Sequence, residues 1–166
     1  LIMVTVTDIQ DVGFILGFIS GEGSFNANMH KQEKYKFGIY AGLRFHLGLH
    51  AEDKELLYSL RDYFDIGRVV ERENNGYKNA YWEVKKNGEV EELCEWIEKN
   101  NSDWFKHSNK YESFEKWKYL VENRDELTST YDGMVEFINL SKEINRDNRG
   151  KSVDEWISDL SRPKDL

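Results

Sequence analysis

Glu22 is the carboxylate with the least ordinary setting in this sequence. It lies near the end of the stretch Gly13-Phe14-Ile15-Leu16-Gly17-Phe18-Ile19-Ser20-Gly21-Glu22-Gly23-Ser24-Phe25, which holds four of the chain's twelve glycines. An acid at a glycine-flanked helix end delivers one charged oxygen donor to a defined point. A second group of residues offers hydrogen-bonding chemistry. Asn26, Asn28, His30, Tyr40, Arg44, His46, Arg68, Arg72, Asn79 and Tyr81 all fall on one face of the predicted strands. Amides, guanidinium groups and imidazoles of this kind pair with base edges in a major groove. A solvated sheet face would also be polar. This one, however, is poor in Lys/Glu pairs and rich in Asn, His, Tyr and Arg. Other catalytic sets are weak. His30, His46, His50 and His107 show no zinc spacing with the lone Cys94, and no Walker-type phosphate loop occurs.

The elements that must position these residues follow from periodicity. Gly13, Gly17 and Gly21 recur at i, i+4, i+8 and form one bare stripe on a helix. Each helical glycine costs on the order of 0.5–1 kcal/mol relative to alanine, so three on one face imply the close approach of another backbone. Phe14, Ile15, Leu16, Phe18 and Ile19 surround the stripe, as in a buried helix. Thr7 or Asp8 is the expected N-cap. Alternation over Phe25–His30 and over residues 35–48, joined by a polar turn at 31–34, predicts an antiparallel hairpin. Leu56, Leu57, Leu60 and Phe64 mark a helix over 52–64. Residues 68–73 and 78–85 make a second hairpin around Asn74-Asn75-Gly76. Helices are expected over 88–99 (capped by Asn87), 109–123 and 131–144. A last one opens at Ser152 with a Glu155 capping box and buries Trp156, Ile157 and Leu160. The order α-ββ-α-ββ-α, then helices, predicts an α+β fold with a four-stranded antiparallel sheet and helices on one face. At about 3.3 Å per residue, such strands track roughly one turn of duplex.

Composition sets the bounds. The 166 residues favour a single domain, with a core at about 8–125 and C-terminal helices at about 126–161. No apolar run reaches the roughly 18 residues of a membrane span. Cys94 lies at helical spacing with Val90, Leu93 and Ile97, which predicts a core cysteine and a reducing setting. Leu1-Ile2-Met3-Val4 has no basic region or cleavage pattern, so no signal peptide is expected, and the missing initiator suggests a trimmed or excised chain. The net charge of −8 argues against a nucleic-acid partner. Its distribution weakens that argument: residues 26–86 hold 11 Lys/Arg against 9 Asp/Glu, and residues 87–166 hold 12 against 19.

The stretch Ile15 to Phe25 resembles the motif of the LAGLIDADG homing endonucleases. Tyr35-Lys36-Phe37, Phe45-His46-Leu47-Gly48-Leu49-His50, and Leu56-Leu57 to Phe64-Asp65-Ile66-Gly67 match the family's usual pattern in order. The resemblance covers roughly residues 9–120 and implies an αββαββα fold whose sheet straddles DNA as a saddle. It implies that Glu22 and the Gly21 carbonyl hold a divalent metal, Mg²⁺ or another cation such as Mn²⁺ or Ca²⁺. Lys106 falls near the family's basic residue, with His107 as a competitor. The glutamine often found after the second strand is replaced by Leu49 and His50, and His50 could serve there. Ser20 stands in place of the motif's earlier acid. Only one copy of the motif is present. That resembles the homodimeric members, with Gly13, Phe14, Gly17 and Phe18 at the interface. Tyr35 joins the implied DNA contacts.

The implied activity is metal-dependent, site-specific double-strand DNA cleavage by an intron-encoded enzyme at a long pseudo-palindromic target. No membrane partner or small-molecule cofactor is implied. The expected location is archaeal or bacterial cytoplasm or an organelle matrix. The alternative is a non-catalytic nucleic-acid-binding protein on the same scaffold, either an intron RNA maturase or a regulator.

Overall fold

Alternation and helical stripes appear in the structure largely where periodicity puts them. The computed structural model describes residues 6–145 and 150–161, without the side chains of residues 6–10 and Asn74. The elements in order are α1 (Val6–Glu22), β1 (Gly23–Lys31), β2 (Ile39–His50), a 3-10 turn (Ala51–Asp53), α2 (Lys54–Phe64), β3 (Arg68–Asn74), β4 (Tyr77–Val84), α3 (Asn87–Asn100), α4 (Asp103–Lys106), α5 (Asn109–Glu122), α6 (Arg124–Ser129), α7 (Tyr131–Asn145) and α8 (Val153–Asp159). The fold is α+β, with a four-stranded antiparallel sheet ordered β1-β2-β4-β3. Two compact units interleave in sequence. One takes residues up to 24 and 45–112, the other residues 25–44 and 113 onward.

The first unit is built around Trp82. Its β2–β4 register sets Phe45 against Val84 and Leu47 against Trp82. Phe64 of α2 stacks on Trp82 at 5.2 Å and Phe45 meets it edge-on at 5.7 Å. The indole N–H donates to the Ile66 carbonyl at 3.0 Å, so the buried donor is satisfied. The turn from α2 to β3 uses Asp65 and Gly67 at positive φ. Asn75 and Gly76 carry consecutive positive φ values of 51° and 79°, the twist that a two-residue hairpin demands. Cys94 is buried with Val90, Leu93 and Ile97, as its spacing predicts.

The second unit packs Phe25 of β1 on Phe114 and Trp117 of α5, at 5.4 and 5.1 Å. Asn145, at the end of α7, accepts from the Ala27 N–H at 3.1 Å and donates to the Ala27 carbonyl at 2.8 Å. The Ser152–Glu155 capping box forms as expected at the start of α8. Leu160 is buried there, whereas Trp156 and Ile157 are only half-buried.

Several boundaries differ from the sequence reading. The second strand starts at Ile39, not residue 35. Residues 32–38 form a turn closed by Gln32 N–H to Gly38 O at 2.7 Å and Gly38 N–H to Tyr35 O at 2.8 Å, with Gly38 at φ 72°. Tyr35 therefore belongs to the turn. Helix α3 takes in Asn87, and its N-cap is Lys86, with no side-chain cap bond. Helix α1 takes in Thr7 and Asp8, whose side chains lie outside those described. The short helices α4 and α6 carry too few residues for a periodic signal.

Helix α8 is anchored by charge. Asp159 accepts from Lys151 and forms an ion pair with Lys31 at 2.6 Å. The Lys151 and Lys31 bonds hold the Asp159 carboxyl below its ordinary range. The bond to Asp159 raises Lys31 above its ordinary range. Glu155 is likewise lowered, by the bonds of the capping box. A depressed acid stabilises above its unfolded pKa and loses that contribution as pH falls through its folded value. A raised lysine loses its contribution only as pH rises above about 10.5. The anchor is thus at full strength from about pH 4 to 10. Following the Trp156 indole resonance downward in pH should show α8 loosening with a midpoint below the ordinary aspartate range. Asp159→Asn should loosen it already at neutral pH. A midpoint at the ordinary value, unaltered by the substitution, would show that these pairs do not hold the helix.

Candidate functional site

In the first unit, α1 passes into β1 with no intervening loop, so Glu22 is the last helical residue and Gly23 the first of the strand. A Cβ on Gly23 would lie 2.5 Å from the Ile19 carbonyl oxygen and 2.9 Å from the Phe45 ring. Only glycine permits this junction, and the junction fixes where Glu22 emerges. Glu22 is exposed. The Lys110 ammonium donates to the Gly23 carbonyl, so a cation is held one residue from the Glu22 backbone. The sequence reading did not select Lys110. The start of α5 at Asn109 agrees with the predicted helix, but a bond to a residue 87 positions away leaves no local signal in the sequence. Lys106 stands exposed on α4 with Asp103 at 3.6 Å. His107 follows as the exposed C-cap. His50 is exposed at the end of β2, and its Nδ1 accepts from the Glu52 N–H at 3.4 Å.

Helix α1 is buried on one side only. Ile15, Leu16 and Ile19 are 4%, 5% and 0% exposed. At Gly13, Gly17 and Gly21, an added Cβ would meet nothing within 4 Å among the described residues. Phe14 is 55% exposed and stacks on the half-buried Phe18 at 5.6 Å. An open groove of about 510 Å³ borders this stripe, lined by Gly13, Gly17 and Ser20 together with Trp104 and Phe105. Trp104 is 87% exposed, a large apolar surface beside bare backbone. Among the described residues, no group of three or more His, Cys, Asp or Glu side chains is placed to hold a metal ion. Nor is any helix there long and apolar enough to cross a membrane.

The polar strand face is present in both units. In the second unit, His30 stacks on Tyr40 at 5.3 Å, and Tyr35 tilts onto the same ring at 5.2 Å. Asn26 and Asn28 are half-buried, and the Asn26 carbonyl accepts from the Trp117 indole at 3.2 Å. Arg44 is half-buried, and its buried Nε meets no acceptor among the described residues. In the first unit, His46 meets the Tyr81 ring edge-on at 6.0 Å, and half-buried Asn79 pairs with Arg72 across β3–β4. Arg68 and Arg72 are not free side chains. Both bind Glu83, which is only 2% exposed. Glu83 alternates with Asn79 and Tyr81 along β4 and so shares their face, but alternation alone does not show that it bonds both arginines.

A family model described as LAGLIDADG endonuclease matches residues 15–121. The chain belongs to the LAGLIDADG endonuclease family. One relative is a probable intron-encoded endonuclease of Neurospora crassa, 29% identical over 130 residues. That match takes in 78% of this chain and 24% of the relative, so the chain spans about a quarter of the relative's length. The homing endonuclease I-TnaI has a similar structure, with a TM-score of 0.74 at 22% identity over 82% of this chain and 89% of that one. An archaeal intron-encoded homing endonuclease complexed with DNA gives 0.77 at 19% identity over 90% and 94%. At such identities the two structures establish that the LAGLIDADG fold is shared.

Proposed function

We propose that this chain is a homodimeric, metal-dependent, site-specific DNA endonuclease. The observation that carries the reading is the junction of α1 and β1. There a glycine-fixed helix-to-strand junction presents the Glu22 carboxylate and the Gly21 carbonyl region near Lys110. Mg²⁺ keeps several waters and binds through one or two carboxylates plus substrate phosphate oxygens. A single carboxylate with neighbouring carbonyls therefore fits such a cation, and Glu22 and Gly21 would hold it. When bound, the cation supplies Lewis-acid stabilisation of charge at phosphorus.

The protein's own groups bind and orient the substrate. Lys110, and Lys106 or His107, contribute positive charge toward a scissile phosphate. His50, exposed at the end of β2, would order water there. Asn26, Asn28, His30, Tyr35, Tyr40 and Arg44 of one unit, and His46, Arg68, Arg72, Asn79 and Tyr81 of the other, make up the DNA-reading set. The Arg44 Nε, which meets no acceptor among the described residues, supports a ligand on its face, because an unsatisfied buried donor costs about 1–3 kcal/mol.

The open glycine stripe, with Phe14 and Trp104 beside it, supports a second copy seated on α1. Two-fold pairing of the reading sets implies a pseudo-palindromic site. The test is incubation with a plasmid library containing candidate intron insertion sites, with and without Mg²⁺. Discrete double-strand cuts that require the metal are expected. Salt-dependent binding without any cut would instead support the maturase or regulator reading.

A further inference from the structure

We infer that Glu83 is a positioning residue for sequence reading: it holds Arg68 and Arg72 in place so that they select base edges rather than phosphates. The inference rests on the DNA-binding reading above and assigns a role to a residue that the reading itself does not use.

Glu83 lies on β4, directly across from Arg68 on β3 and from His46 on β2. Its Oε2 accepts from Arg68 Nη2 at 3.3 Å, and its Oε1 accepts from Arg72 Nη2. Arg72 is not its strand neighbour, since the register pairs Arg72 with Asn79. To reach Glu83, the Arg72 side chain crosses the Tyr81 ring, with its guanidinium 5.2 Å from the ring centre. Tyr81 in turn lies over Gly48 of β2, where a Cβ would come within 2.6 Å of the ring. The glycine seats the tyrosine, the tyrosine supports the arginine, and the carboxylate fixes its end.

This arrangement is a poor way to gain stability. A buried carboxylate loses hydration that pairing only partly returns, and an apolar residue of similar volume commonly serves a sheet better. The two arginines it holds are not core residues, with side chains 57% and 52% exposed. Each guanidinium has five donors, and the bonds to Glu83 leave most of them available. Two consequences follow for a polyanionic ligand. The cluster of one carboxylate and two guanidinium groups carries half the charge of two free arginines, so its pull on phosphates is weakened. The side chains are also ordered before binding, so a fixed donor fork favours the paired O6 and N7 acceptors of guanine. Selectivity is gained at the expense of indiscriminate affinity.

The test uses the full chain and a randomised DNA duplex pool. Binding is measured across a salt series, and bound duplexes are selected and sequenced. Glu83→Gln frees charge, so its log-affinity should fall more steeply with log salt, by about 0.9 in slope. It should bind the unselected pool more tightly and lose about tenfold of the guanine preference at the contacted positions. Arg72→Lys keeps the charge but not the fork, so it should lose the preference at one position with the slope unchanged. Glu83→Asp should recover part of the selectivity, which a purely structural role would not explain. If Glu83→Gln fails to melt cooperatively, Arg72→Lys decides alone: an unchanged preference overturns the inference. Variants that match the unaltered chain in both slope and preference also overturn it and leave the DNA reading standing. No salt-dependent binding by the unaltered chain overturns both.

Discussion

Glu22→Gln is expected to leave folding and duplex binding intact while lowering cleavage by about three orders of magnitude. The side chain is exposed at the end of α1, so an amide of the same shape disturbs no packing. The substitution removes the anionic oxygen, which is what a hard divalent cation requires. Loss of one preorganised group that stabilises developing charge commonly costs about 2.7–4 kcal/mol. At about 1.36 kcal/mol per tenfold, that is a factor of roughly 10²–10³. In a symmetric dimer the change falls on both halves of the site, which pushes the loss to the upper end. The measurements are single-turnover cleavage of a duplex that the unaltered chain cuts, and its dissociation constant in Ca²⁺. Cutting within tenfold of the unaltered rate would remove Glu22 from the chemistry. Equal losses of cutting and binding would make it a DNA contact instead.

Gly17→Leu should move monomer stability and association in opposite directions. Among the described residues, nothing stands within 4 Å of the position a Cβ would take, so the monomer accommodates a side chain there. Replacing a helical glycine should stabilise the isolated chain by about 0.5–1 kcal/mol. If α1 pairs backbone-to-backbone with a second copy, the same side chain blocks that approach. Self-association should then weaken at least a hundredfold, an overpacking cost of about 3 kcal/mol. Sedimentation equilibrium gives the association constant. Thermal melting at a concentration where the chain is monomeric gives the stability. An unchanged dimer would show that the glycine stripe is not the interface. A strong loss of monomer stability would show that the stripe is already packed against this chain's own residues.

Much of this architecture could be read from local patterns. The Ala80, Trp82, Val84 alternation and the Leu57, Leu60, Phe64 stripe express periods that the backbone imposes, and both groups are buried. Asn75-Gly76 specified its own turn because few other residue pairs accept two positive φ values. The misses share a different origin. Tyr35 alternates with its neighbours like a strand residue, yet a turn closed at Gly38 claims it. Asn87 has the right chemistry for a cap, but the helix begins one residue earlier and places Asn87 inside. The place of Glu22 was legible, because a helix end followed at once by a strand is a local pattern. The site was not legible where residues act by contact. The link from Lys110 to Gly23 spans 87 residues, and the hold of Glu83 on Arg72 depends on a side chain crossing a ring. Such contacts leave no period in the sequence.

Asn145 has a consequence beyond the packing of its helix. β1 lies at one edge of the sheet, where unpaired N–H and C=O groups invite another chain's strand. The Asn145 amide engages both groups of Ala27, as the backbone of an added strand would. In the homodimer proposed above, α1 is the pairing surface, and a second open edge would let dimers grow into polymers. At Ala27, a single side chain supplies that closure, making Asn145 a determinant of solubility as much as of fold.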